Sequence, residues 1–185
     1  MNGTDLLDLQ IDERQLKELQ RIFADAPKNI PKVMYRAINR SLTTMRSRIV
    51  KIAAKRLGVK AKIVRKRTWI RKANRKQLFG RIRTGAWGWP YMDFDAQQVA
   101  TGVRVKMRRR EVLESAFIAI MPSGHESVFK RAGSQPLPIR KQLTYGPSRA
   151  IREVGGEPAI RAAGAEMLTK RVAAETERLL KGKRK

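Results

Sequence analysis

One stretch constrains this chain more than any other: "PKVMYRAINRSLTTMRSRIVKIAAKRLG", residues 31–58. Met34, Ile38, Leu42, Met45, Ile49 and Ile52 recur at three- and four-residue steps, which places them on one helical face. Arg36, Arg40, Arg48, Lys51 and Lys55 fall largely on another. Pro31 suits a first helical turn and Gly58 the position just past the last, so the pattern predicts one helix over 31–57. An apolar stripe at this spacing packs on a core or a partner helix; it is not a cofactor box.

The same stretch lies in a block without acid. Between Asp25 and Asp93 there is no Asp or Glu, only Lys and Arg. Over the whole chain 42 Lys+Arg stand against 16 Asp+Glu, a formal charge of +26. A field of that sign points to a polyanion, meaning nucleic acid, anionic lipid or an acidic protein surface. With 42% hydrophobic residues in 185, the chain can also build a core and is not a disordered polycation. The densest basic run, "VKAKIVRKR", is a short helix or an exposed loop. Its Lys60, Lys62, Arg65, Lys66 and Arg67 would neutralise phosphates without reading bases, or would face acidic neighbours.

The N-terminus is net acidic. Leu7, Leu9 and Ile11 alternate as in a strand. Asp12 and Gln15 then form a capping box, with Ile11 and Leu16 at the staple positions, and Leu16, Leu19 and Phe23 make a helical face. Beyond residue 67, "TWIRKA", "KQLFGRIRTG", "VATGVRVKM" and "ESAFIAIMP" predict strands, interrupted by the Gly/Pro/aromatic loop "GAWGWPYMDFDAQQ". From Pro147 the pattern is helical again, and Gly155-Gly156 divide a short helix from a longer one. Along the latter, Ile160, Gly164, Met167, Arg171 and Leu179 follow a face loosely. Separate runs of helices and strands predict an α+β fold. The expected organisation is an acidic strand/helix segment at 1–27, an α+β body at 28–155, and a C-terminal helix with basic tail at 156–185, together one domain.

Chemistry finds little support. Without cysteine there is no disulfide, Cys-based metal site or Cys nucleophile. "MNGTDLLDLQ" lacks the regions of a signal peptide, and no apolar run approaches the ~18 residues of a membrane span. His125, the single histidine, suits a turn better than a catalytic base. Asp93 and Asp95, with Glu111, Glu114 and Glu126, make the best case for a Mg²⁺ nuclease, but the pair shares a face only if it lies on a strand. "GRIRTGAWG" matches no phosphate-loop spacing. Trp87, Trp89 and Tyr91 beside Arg81 and Arg83 either stack on bases or anchor a protein interface, the second being the preferred reading. No catalytic, metal or cofactor-binding residue is assigned.

"SVFKRAGSQPLPIRKQLTYGPSRAI", 127–151, has a different character. Pro136 and Pro138 lack amide donors and resist central-strand pairing, so the segment is expected as a sheet edge or an extended arm. It would display Phe129, Leu137, Ile139 and Tyr145, and Tyr145-Gly146-Pro147-Ser148 is expected as a tight turn into a helix. "VFKRAG" followed by "LPIRKQLTYGPS" resembles the tailed-phage minor tail protein Z, or tail-completion, family. "RAINRSLTTMRSRIVKIAAKRLGVKAKIVRKR" is similar to that family's long basic helix with an Ala-x-Asn-Arg element and the Val-Arg-Lys stretch after it.

The resemblance spans roughly 30–155. It implies a non-enzymatic virion protein, made in the host cytoplasm, that completes the tail at its head-proximal end and supports head joining and DNA passage. It also implies an α+β fold and a six-fold ring. The partners would be copies of itself, the tail terminator, tail tube or head connector, and transiently double-stranded DNA, with no membrane. Leu137, Pro138, Ile139, Gly146, Pro147 and Ser148 match the motif and carry structural or interface roles only, and Tyr145, Trp87 and Trp89 join them as interface candidates. "TGAWGWPYMDFDA" departs from the family pattern, being longer and more aromatic. The rival reading is a stand-alone, sequence-blind nucleic-acid binder working through residues 60–67.

Overall fold

The computed structural model describes residues 3–85, 88–107 and 110–182. Their fold is α+β, with five α-helices and four small antiparallel sheets.

The long helix forms as its pattern predicts. α2 runs Ile30–Leu57, with a proline in its first turn, and closes on Gly58 in the left-handed conformation (φ 71°) that favours glycine. Met34, Ile38, Leu42, Met45 and Ile49 are buried, but the face then turns to Ala53 and Leu57, leaving Ile52 37% exposed. An α-helix drifts against any fixed three-four spacing, so the last apolar residue of such a list leaves the seam.

One sheet carries α2. Its strands are β1 (Gly3–Gln10), β2 (Thr68–Arg71) and β3 (Phe79–Gly85), in the order β1-β3-β2. β3 turns Ile82 and Thr84 inward and Arg81 and Arg83 outward. Gly80 lets α2 come close, since a Cβ there would sit 2.5 Å from Leu42 Cδ1 and 2.7 Å from Ile38 Cγ2. The N-terminal segment is built into this layer. β1 pairs with β3, and the outward Asp5 and Asp8 bind Arg81 and Arg83 across the strands. Helix α1 (Glu13–Ile22) has its capping box in place, with Gln15 N donating to Asp12 Oδ1 at 2.8 Å.

The C-terminal helices complete the layer. α4 (Pro147–Glu153) and α5 (Gly156–Gly182) pack against α2, and α5 also lies over β1. A Cβ at Gly164 would meet Leu7 Cδ1 at 2.9 Å. The buried residues of α5 are Ile160, Gly164, Leu168, Val172, Glu175 and Thr176; Met167, Arg171 and Leu179 lie at the margin of this face.

The remaining strands are short. β5 (Gln97–Val99), β6 (Gly102–Lys106) and β7 (Arg110–Glu114) make one meander, and β8 (Ala116–Ile120), β9 (Glu126–Arg131) and β10 (Ile139–Lys141) another. β4 (Trp89–Pro90) pairs with β11 (Leu143–Thr144). "VATGVRVKM" is thus two strands with a turn, not one. Gly102 has φ 156°, and a Cβ on it would stand 2.1 Å from the Leu113 carbonyl oxygen. The core is continuous from Leu6 and Leu9 through α2 to Val103, Val105 and Val128.

Candidate functional site

The basic run 60–67 is the short helix α3 (Ala61–Lys66), preceded by Lys60. Val64 is buried and Ile63 half-buried, while Lys60, Lys62, Arg65 and Lys66 face solvent. Two donors finish the helix: Arg46 Nη2 reaches Arg65 O at 3.0 Å and holds it to α2, and Thr68 Oγ1, at the start of β2, reaches Val64 O at 3.0 Å. Arg67 is placed differently from the others. Its guanidinium lies 5.2 Å from the centre of the Trp89 ring, so its charge is engaged inside the subunit.

Trp89 is therefore neither a base-stacking platform nor an exposed anchor. It is fully buried, edge-on to Phe94 at 5.3 Å, with its indole N–H donated to Asp93. A buried Trp needs a partner for that N–H, and Asp93 supplies it. Tyr91–Phe94 form a 3-10 turn and Asp95 is left-handed (φ 49°), so Asp93 and Asp95 do not share a strand face. Among the described residues no group of three or more His, Cys, Asp and Glu is placed to hold a metal ion. Glu111 and Glu114 are exposed on β7, and Glu126 is exposed on β9. Trp87 lies outside the described residues, as does the basic tail past Gly182. His125 sits in the β8–β9 turn, where Lys141 Nζ donates to its Nε2.

The proline segment is a hairpin, not an extended arm. β10 is the outer strand of its sheet, consistent with the missing proline donors, and Ala132 N donates to Pro138 O at 2.9 Å across the loop. The Leu137-Pro138 peptide is cis. Residues 130–138 are all exposed, Leu137 at 72%, whereas Phe129 is buried and Ile139 and Tyr145 are half-buried. The Gly-Pro-Ser element faces inward: Gly146, Pro147 and Ser148 are buried, and Ser148 Oγ donates to Gly85 O at 3.2 Å, tying α4 to the end of β3. Of the matched motif, Leu137 and Pro138 are on the surface, and the turn residues hold the fold together.

Sequence reasoning missed a second basic site. Arg40 of α2, Lys72 after β2 and Arg171 of α5 line an open cleft of about 460 Å³ with Asn39, Thr43 and Thr44. Arg40 pairs with Glu175, a fully buried acid on α5. The available signal was Arg171 and Glu175, four residues apart on the apolar face of a helix, where charges are rare unless paired.

A long basic helix on a small antiparallel sheet, an exposed apolar hairpin tip and a large unmatched positive charge define a basic α+β protein built around its surfaces. Residues 12–180 match the family of prophage minor tail protein Z (GPZ), and the chain belongs to that family. It is a structural protein of a phage tail and hence a virion component. No curated protein and no solved structure matches it. No helix among the described residues is long and apolar enough to cross a membrane.

Proposed function

We propose that this tail protein is a subunit of a closed, six-fold ring at the head-proximal end of the tail. There it completes the tail and supports head joining and passage of double-stranded DNA. Its neighbours are further copies of itself and the tail terminator, tail tube or head connector. Family membership supports the tail, and one structural observation supports the ring: the β9–β10 hairpin holds Leu137 in water at 72% exposure, on a loop that contributes nothing to the core. A ring forms when such a feature enters a different patch on the next copy and the rotation closes.

Burying Leu137 in a neighbour is worth roughly 1.5–3 kcal/mol per contact, and Leu137→Asp replaces that gain with the desolvation of a charge. Fold stability should shift by no more than about 0.5 kcal/mol, as for other exposed sites. The test is light scattering of nuclease-treated protein at high salt, with negative-stain imaging of the peak. Closed rings that fall to monomers in Leu137→Asp are the expected result. A wild-type monomer both alone and with its tail tube, or rings untouched by Leu137→Asp, would overturn the proposal.

A further inference from the structure

The cleft between α2, α5 and the 72–77 loop has the construction of an anion site. Two of its three cations are placed by identifiable contacts. The Asn39 side chain clasps the backbone of Ala73, accepting from its N–H at 2.8 Å and donating to its carbonyl at 2.9 Å, which fixes the adjacent Lys72 over α2. Asn74 Oδ1 accepts from the amides of Lys76 and Gln77 and closes the loop. Arg40 is anchored by the buried Glu175, and Arg171 is half-buried with its Nε lacking a hydrogen-bond partner. Neither Lys72 nor Arg171 has a carboxylate partner among the described residues.

The other lining groups are already engaged. Thr43 and Thr44 donate their hydroxyls to the carbonyls of Asn39 and Arg40, and the Asn39 amide is bound at both ends. The donors left to a ligand are those of two arginines and a lysine, against one carboxylate already matched to Arg40. Donors alone, from three separate elements, suit a multiply accepting oxyanion rather than the mixed edge of a base. The positive strip also continues past the cleft. Arg36 stands one turn earlier on α2 and Arg75 on the same loop, and both lower the pKa of the Tyr35 phenol, the Arg36 hydrogen bond first. That extent favours a chain of anions over a single ion.

We propose that this cleft binds the backbone phosphates of nucleic acid, without reading sequence, through Arg40, Lys72 and Arg171. The phosphate site is thus formed by residues distant in sequence and is distinct from the dense run 60–67. It stands on geometry and charge and does not require the ring.

The test compares two variants with equal loss of charge, Lys72→Gln/Arg171→Gln and Lys62→Gln/Lys66→Gln, in fluorescence anisotropy with a labelled DNA duplex over a salt series. Each lost phosphate contact should lower the slope of log K against log salt by about 0.9, so the cleft pair should lose about 1.8 and bind about 60-fold more weakly at 0.1 M salt. The control pair should stay close to wild type. Lys72→Gln alone, an exposed change, should lose about half that slope and serves if the double variant unfolds. Equal losses in the two pairs, a larger loss in the control, or no duplex binding by wild type would overturn the proposal. So would polyglutamate binding as tightly as DNA with the same dependence on Lys72, which would assign the cleft to carboxylates. Ring formation is scored separately through Leu137→Asp, so a chain that binds DNA as a monomer keeps this inference and loses the ring.

Discussion

The ion pair between Arg40 and Glu175 offers the sharpest test of how α2 and α5 are joined. Its two ends differ: the Glu175 side chain is fully buried, while that of Arg40 is 45% exposed. Glu175 Oε2 has no hydrogen-bond partner among the described residues. Arg40→Met keeps the alkyl stem and removes the charge, leaving a carboxylate in the interior with no countercharge. Breaking a fully buried pair costs about 3–5 kcal/mol; the solvent exposure of Arg40 lowers this to about 2–4 kcal/mol. Glu175→Leu acts at the other end. It removes the acid at similar bulk and returns Arg40 to water, so it should fall within about 1 kcal/mol of wild type, on either side.

The double variant Arg40→Met/Glu175→Leu should resemble Glu175→Leu alone, which gives a coupling equal to the Arg40→Met cost, about 2–4 kcal/mol. Urea unfolding at one ionic strength measures all four proteins, and an unchanged slope with denaturant confirms that the midpoints report stability. The reasoning fails if Arg40→Met lies within about 0.5 kcal/mol of wild type, the size of an ordinary surface change. It fails equally if Glu175→Leu is as damaging as Arg40→Met, because the asymmetry of burial would then have no energetic counterpart.

Two further outcomes are expected. Gly80→Ala should cost about 1–3 kcal/mol by overpacking against Leu42 and Ile38. Combined with Leu42→Ala it should cost less than the two changes summed, by about 1 kcal/mol; additive urea midpoints would show that α2 does not rest on β3 there. Glu166 has its carboxyl pKa lowered by the Lys170 hydrogen bond first, then by the Lys170 charge and that of Arg48. A carboxylate depressed in this way adds its small stabilisation above the ordinary carboxylate pKa and loses it as pH falls through the folded value. Lys170→Gln should therefore raise the Glu166 midpoint in a carboxyl NMR titration, and Arg48→Gln should raise it less; a midpoint unmoved by either would remove the cause assigned here.

What was legible in the sequence was local. The capping box at Asp12 and Gln15, the span of α2 with Gly58 behind it, and the break at Gly155-Gly156 each depend on residues within a few positions of one another. Hence they could be read without knowing the fold. The inward turn of Trp89 was not of this kind. Asp93 is close to it in the chain, but Arg67 lies far before it and comes over the ring from the end of α3, which Arg46 holds to α2. The cleft was hidden for the same reason. Arg40, Lys72 and Arg171 are separated by tens of residues and meet only once α2, β2 and α5 pack. The densest basic run on paper therefore stood out, while the converging residues did not.

The distribution of charge joins the two proposals. Part of the acid in this chain is matched close by: Asp5 and Asp8 with Arg81 and Arg83, Glu153 with Arg56 and Arg149, Glu157 with Arg152, Glu166 with Lys170, and Glu177 with Lys181. Lys60, Lys62, Arg65, Lys66, Lys72 and Arg75 have no such partner among the described residues. The acidic N-terminal strand thus serves the arginines of β3 and leaves the cations of the α2–α3 side without matching acid, within a net surplus of +26 over the chain. In a ring of identical subunits such a surplus opposes closure, through repulsion that salt screens. Phosphate bound at the proposed cleft site would lower the repulsion that the proposed Leu137 contact has to overcome. If both proposals hold, the cleft and the hairpin would be two parts of one assembly device: the first would determine when copies can approach, the second where they join.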